Sequence, residues 1–220
     1  MMEASVKDSK EKPSWKTASS RNERSVLIRE ELFRAASEVV GQVGYQDASV
    51  AMITQRAGVA QGTFYNHFSS RQDLFDKLLP SLGGELLNEV KAASKGASGL
   101  LQKEEAGFRA FFSFLKSNPH FFRILNEAEL FAPEAYRIHL DLVQKGYMRM
   151  FRKAHEEGEI AGFDEKEFEA IAYVLMSSRT YLAWRYVYGQ DADGELPEWV
   201  VKGYMRLLQD GLRGKAAQAS

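Results

Sequence analysis

Cysteine is absent from the 220 residues. That one absence excludes a disulfide framework, a thiolate zinc site, an iron–sulfur cluster and a cysteine nucleophile. No apolar run approaches the roughly 18 to 20 residues a membrane-spanning helix needs, and the charged N-terminus lacks the apolar stretch of a secretory signal. A cytoplasmic protein with no membrane partner is expected. An excess of charge of one sign is missing too: 29 Lys and Arg stand against 30 Asp and Glu, a net charge of −1. A nucleic-acid partner must therefore be met by a local patch and not by an overall field. There is no Gly-x-Ser-x-Gly elbow and no phosphate-cradling glycine loop, and His67, His120, His139 and His155 show no paired metal spacing. His120 and His139 with Glu127 or Glu129 are the one set that folding could gather around a metal. The chain is expected not to be an enzyme, and no catalytic residue, metal or cofactor is assigned.

What is present is helical periodicity. With 45% hydrophobic and 27% charged residues, the chain is long enough for a core of its own and for one or two modest domains. Residues 1–22 are rich in Lys, Ser and small residues and are expected to form a flexible basic tail, of the kind that gains affinity by displacing counterions from phosphate. Residues 215–220 are expected to form a second flexible tail. From there on the pattern is all-α. Ile28, Leu32, Ala35, Ala36, Val39, Val40 and Val43 make a one-sided stripe at intervals of three and four. Gly44 closes that helix in the left-handed conformation. Ser49 is the N-cap of a short helix, Val50 to Ala57, which Gly58 ends.

The stretch Ala57-Gly58-Val59-Ala60-Gln61-Gly62-Thr63-Phe64-Tyr65-Asn66-His67-Phe68 then has the form of a helix-turn-helix whose second rod can enter a major groove. That rod is expected over Ala60 to about Phe68. Phe64 and Phe68, four apart, face inward and leave Gln61, Thr63, Tyr65, Asn66 and His67 pointing out, with hydrogen-bonding groups suited to base edges and phosphates. Ser69 or Ser70, with Gln72 or Asp73 three residues on, opens a further helix through Leu74, Phe75, Leu78, Leu79 and Leu82.

Over about Arg24 to Leu79 the sequence resembles the TetR family of transcriptional regulators. The resemblance lies in LIREELFRAASEVVGQVGYQDASV, MITQRAGVAQGTFYNHF and SSRQDLFDKLL. It implies that Ser49, Gln61, Gly62, Tyr65, Asn66, His67 and Arg71 touch DNA, with Tyr65, His67 and Arg71 mostly on the backbone and Gln61, Thr63 and Asn66 as base readers. The family usually has Ser where Ala60 stands and Lys where Gln61 or Arg71 stands. The recognition helix is therefore expected to lack its side-chain cap, and Gln61 to read a base in place of a phosphate.

The domain layout expected is residues 23–80 for DNA binding and 81–214 for effector binding and dimerisation. In the second part, helices are drawn over Leu101 to Ser117, Pro119 to Phe131, Pro133 to Glu157, Asp164 to Tyr188 and Pro197 to Gly214. Asn118 is assigned as the cap of the second, and Asp164 with Glu167 as a box-like start of the fourth. The aromatic residues exceed what a core needs, which suggests an apolar cavity between helices, and the resemblance implies the same. Phe111, Phe114, His120, Phe122, Asn126, Tyr147, Phe151, Met176 and Arg179 are assigned to that pocket. Ile171, Leu175, Leu182, Tyr186, Tyr204 and Leu208 are assigned to a homodimer interface, since the last two helices offer more apolar surface than one bundle buries. The function expected is a ligand-responsive repressor that binds palindromic operator DNA as a homodimer and is modulated by a small apolar or amphipathic effector. The alternative is a constitutive DNA-binding protein whose bundle only dimerises or binds a protein partner.

Overall fold

The computed structural model describes residues 14–160, 162–189 and 195–212. Among these the elements are α1 (Arg21–Asp47), α2 (Val50–Ala57), α3 (Gln61–Tyr65), α4 (Arg71–Ala93), α5 (Gly99–Ser117), α6 (Phe121–Phe131), α7 (Pro133–Glu156), α8 (Phe168–Tyr186) and α9 (Glu198–Leu212), with 3₁₀ turns at Ser14–Lys16 and Glu165–Glu167. The fold class is all-α, and no strand occurs among the described residues. None of the described helices is long and apolar enough to cross a membrane.

The reading head is α1 to α3 with the first turns of α4. Leu32, Ala35, Ala36 and Val40 of α1 meet Ile53 and Ala57 of α2, Phe64 and Phe68, and Leu74, Phe75 and Leu78 of α4, all buried in one core. Each large side chain so buried contributes about 1.5–3 kcal/mol. Gly44 does not close α1 in the left-handed helical conformation: it takes φ +86 and ψ 166 and kinks the chain, and α1 runs on to Asp47. This lets Tyr45 swing inward, edge-on to Phe75 at 4.9 Å.

The N-terminal expectation needs correction in part. Residues 1–13 and 215–220 lie outside the described residues, but Ser14–Lys16 forms a turn packed on α1. Trp15 is only 8% exposed, flanked by Lys16 and Arg24, each 5.3 Å from its ring. Ser20 caps α1 by accepting from the Glu23 N–H. One buried indole is enough to fix a segment whose composition otherwise resembles a solvated tail.

The expected break at residue 80 falls inside a helix. Pro80 cannot donate to the turn before it, yet α4 runs 23 residues through it. Leu78 and Leu79 on one side and Leu82 and Leu86 on the other are all buried, and that burial carries the helix across. Thus α4 passes from the reading head into the bundle, where it packs on α5 and α7. Pro133 starts α7 at its first turn, and Asp164 with Glu167 forms the capping box before α8. Asn118 does not cap α6. Its Nδ2 donates back to the Phe114 carbonyl at 3.1 Å, closing α5, and His120 stands at the N-cap of α6 without a side-chain bond.

Candidate nucleic-acid interface and ligand cavity

Ser49 accepts a hydrogen bond from the Met52 N–H at 3.2 Å and so starts α2. Gly58 ends it at φ +67, a left-handed conformation that only glycine takes without strain. Ala60 stands at the N-cap of α3 with no side-chain bond. The rod itself is shorter than expected, ending at Tyr65, after which Asn66 and His67 form a turn. Phe64 and Phe68 are buried beneath it, while Gln61, Gly62, Tyr65 and Asn66 are exposed and Thr63 and His67 are half-buried. Tyr65 keeps 57% of its surface. A Cβ built on Gly62 meets nothing within 4 Å, so no internal contact requires glycine there.

Besides Ser49, two more residues assigned to DNA have internal partners. The Arg71 Nη1 donates to the carbonyls of Ala48 at 3.0 Å and Gln46 at 3.3 Å, and its guanidinium lies 5.4 Å over the Phe75 ring. It thereby closes the α1–α2 turn while remaining exposed. The His67 carbonyl accepts from Arg29 at 3.3 Å. Burial, and then the Arg29 charge, push the His67 imidazole below its usual range.

The bundle encloses a cavity of about 500 Å³ between α4, α5, α7 and α8, with Leu125 and Asn126 of α6 on its wall. That volume suits a small organic ligand. Phe111, Asn126, Tyr147, Met176 and Arg179 line it. Four other residues assigned to it do not. Phe114 is fully buried edge-on to Phe121 at 5.1 Å, and His120 packs where a Gly41 Cβ would sit. Phe122 stacks on Tyr188 at 4.6 Å, and Phe151 lies between Tyr147 and Phe168. His120 and His139 are thus held against different helices, and no group of three or more metal-capable side chains occurs among the described residues.

At one side of the cavity is a polar cluster in which Glu104 had no assigned part. The Arg179 Nη2 meets the Glu104 Oε1 at 2.8 Å, and the Tyr204 hydroxyl donates to the same oxygen at 2.5 Å. The Arg179 Nη1 donates to the Tyr147 hydroxyl. Burial disfavours the Arg179 charge, but Glu104 together with Tyr147 and Tyr204 more than offsets this and holds the guanidinium protonated. Burial first, and Glu104 with it, pushes the Tyr204 hydroxyl up. A signal for Glu104 was present, since it interrupts the apolar stripe Leu100, Gly107, Phe108 and Phe111. His139 also lines the cavity. Its Nδ1 is buried without a partner, and burial pushes the imidazole down to about 4.

The interface assignment needs correction as well. Leu175, Tyr204 and Leu208 are 2%, 8% and 7% exposed, because they face the core of their own bundle. Ile171, Leu182 and Tyr186 are half-buried. The outward apolar residues are Val174, Tyr181 and Trp184 on α8 and Trp199 and Leu207 on α9. Spacings of seven and three on α8 and of eight on α9 put each set along one helix face.

Residues 32–78 match the family model described as bacterial regulatory proteins, tetR family. Over its N-terminal helices the chain is similar to the TetR family. Among the curated relatives, the HTH-type transcriptional activator FasR of Mycolicibacterium smegmatis is 34% identical over 99 residues, 45% of each chain. The match thus spans less than half the length of FasR. The fatty acid metabolism regulator protein of Bacillus subtilis is 26% identical over 133 residues, 60% of this chain and 68% of that one. These relatives are named as regulators, not as enzymes. The fold is that of the transcriptional regulator FadR from Bacillus subtilis in complex with stearoyl-CoA, with a TM-score of 0.69 at 20% identity over 83% of this chain and 98% of that one.

Proposed function

We propose that this chain is a ligand-responsive repressor that binds palindromic operator DNA as a homodimer and loosens its hold when a long apolar or amphipathic molecule enters the bundle. The observation that carries the proposal is the pairing of two features in one chain: an outward polar set on α3 over buried Phe64 and Phe68, and a cavity whose wall includes both α4 and α6. Gln61, Thr63 and Asn66 would read bases, and Tyr65 and His67 would hold phosphates. Ser49 and Arg71 would do so beside the internal bonds they already make. Bare Gly62 would let a phosphate come close to the α3 backbone. Support for a fatty-acyl effector comes from the names of the relative in Bacillus subtilis and of the stearoyl-CoA complex, and from the apolar wall of this cavity.

One short rod reads few bases, so a second copy is needed to make an operator. The outward residues Val174, Tyr181, Trp184, Trp199 and Leu207 are the surface offered for that copy. Selection of bound sequences from random duplex DNA tests the proposal. Two inverted half-sites about one helical turn apart are expected. Recovery of no common sequence, or of a lone half-site, contradicts it.

A further inference from the structure

The charges around the cavity are one-sided, and the geometry points to an effector with a single anionic head, carboxylate or phosphate, held at the mouth by Lys91, Lys103 and Arg149, and an uncharged tail directed inward. This rests on the cavity being the effector site. Four cations, Lys91, Lys103, Arg149 and Arg179, line it against one carboxylate, Glu104. Arg179 and Glu104 already satisfy each other at 2.8 Å, with two tyrosine hydroxyls completing the cluster. They present no free charge to a ligand. The other three cations have no ion pair among the described residues.

Those three gather at one end. Lys91 lies in the last turn of α4, and Lys103 in the second turn of α5 just across the connecting loop. α7 runs alongside α4 in the same direction: His139 packs on Gly83 near one end, and Glu159, just past α7, accepts from the Leu100 N–H at the other. Arg149 therefore lies toward the same end as Lys91. Lys91 and Arg149 are exposed and Lys103 is half-exposed, whereas the wall further in, at Leu125 and His139, offers no charge.

An anionic head gains from all three cations at the mouth, and a cationic head is repelled by them. A second charge at the far end of the tail would be desolvated without a partner, because Arg179 is already taken. The site therefore selects a molecule charged at one end only.

Calorimetric titration of the full chain with five twelve-carbon probes, below their micelle concentrations, tests this: dodecanoate, dodecyl phosphate, dodecanol, dodecyltrimethylammonium and dodecanedioate. Each exposed ion pair adds a modest increment, so the two mono-anions are expected to bind about tenfold tighter than dodecanol. The cation and the diacid are expected to bind more weakly than dodecanoate by at least as much. Whichever mono-anion binds tighter identifies the head as phosphate or carboxylate. The triple variant Lys91→Gln, Lys103→Gln, Arg149→Gln should bring both mono-anions to the level of dodecanol and leave dodecanol binding unchanged, which also shows that the variant is folded. Binding that ignores the head, or mono-anion binding unchanged in the triple variant, overturns the inference and leaves the effector site standing. Failure of all five probes to bind overturns both.

Discussion

The carboxylate of Glu127 accepts the backbone N–H of Tyr45 at 2.9 Å, across 82 residues of sequence. Its other oxygen holds the Arg123 Nε at 2.6 Å, and the Arg123 Nη1 donates to the carbonyls of Gln42 at 2.8 Å and Gly41 at 3.2 Å. Gly44 is required beside them: its φ is +86, and a Cβ there would lie 2.7 Å from Arg123 and 2.9 Å from Glu127. One face of α6 thus grips the end of α1, two residues before the Ser49 cap of the helix-turn-helix. Another face carries Leu125 and Asn126 into the cavity wall.

That arrangement makes α6 the expected link between ligand and DNA. Glu127→Ala should cost about 1 kcal/mol of stability, since the pair is partly exposed. Ligand and operator should each still bind. The ligand-induced loss of operator affinity, expected in the range of about 5- to 150-fold in the intact protein, should shrink toward none. Operator affinity measured with and without dodecanoate in both proteins checks this, and an undiminished response in the variant rejects the link.

Gly62→Ala separates folding from recognition. Nothing lies within 4 Å of the new methyl group, and alanine favours helix over glycine by roughly 0.5–1 kcal/mol. The melting temperature should hold or rise while operator affinity falls at least severalfold. Unchanged operator affinity would mean that the backbone of α3 does not come close to DNA.

His139 makes the fold acid-sensitive. Its folded pKa of about 4 lies below the ordinary 6.5, so the folded state favours the neutral ring and the unfolded chain binds the extra proton. The stability from this group is complete above about pH 6.5 and is lost as pH falls toward 4, by roughly 3 kcal/mol over the whole window. Denaturant unfolding of the wild type and of His139→Leu at pH 7 and pH 5 checks it, the variant losing less on acidification. Equal losses in both place the acid sensitivity elsewhere.

Trp184→Glu should abolish the proposed dimer without unfolding the monomer, because Trp184 is 64% exposed within its own chain. Sedimentation at micromolar concentration should show half the wild-type mass, with operator affinity lost in parallel. Leu175→Ala is the contrast. That side chain is inside the bundle, and its truncation should cost about 2–5 kcal/mol of stability.

The contrast between Trp184 and Leu175 also marks where the sequence stops being legible. Ser49, Gly58, Pro133 and the Asp164–Glu167 box act on their own neighbours, so their roles could be read from spacing alone. Inward Phe64 and Phe68 followed from a two-turn pattern. On α8 nearly every face is apolar, and periodicity cannot tell the side that meets its own bundle from the side left for a partner. The same blindness moved Phe114, Phe122 and Phe151 out of the cavity, since a phenylalanine stripe fits a packed layer and a cavity wall equally well. The helix through Leu82 was legible from its leucine spacing, but the domain boundary drawn at Pro80 was not, because only the packed leucines on both sides show that α4 belongs to reading head and bundle alike. Trp15 needed a tertiary partner to distinguish it from the tail around it.

The central claim is that one molecule in the bundle changes the grip of two reading heads. An electrophoretic mobility shift of the full chain on its selected palindrome, titrated with dodecanoate at fixed salt, measures it most directly. The account predicts a dimer-sized shifted band whose apparent Kd rises at least fivefold as the cavity fills. Saturating ligand that leaves the Kd unmoved, or tightens it, contradicts the account.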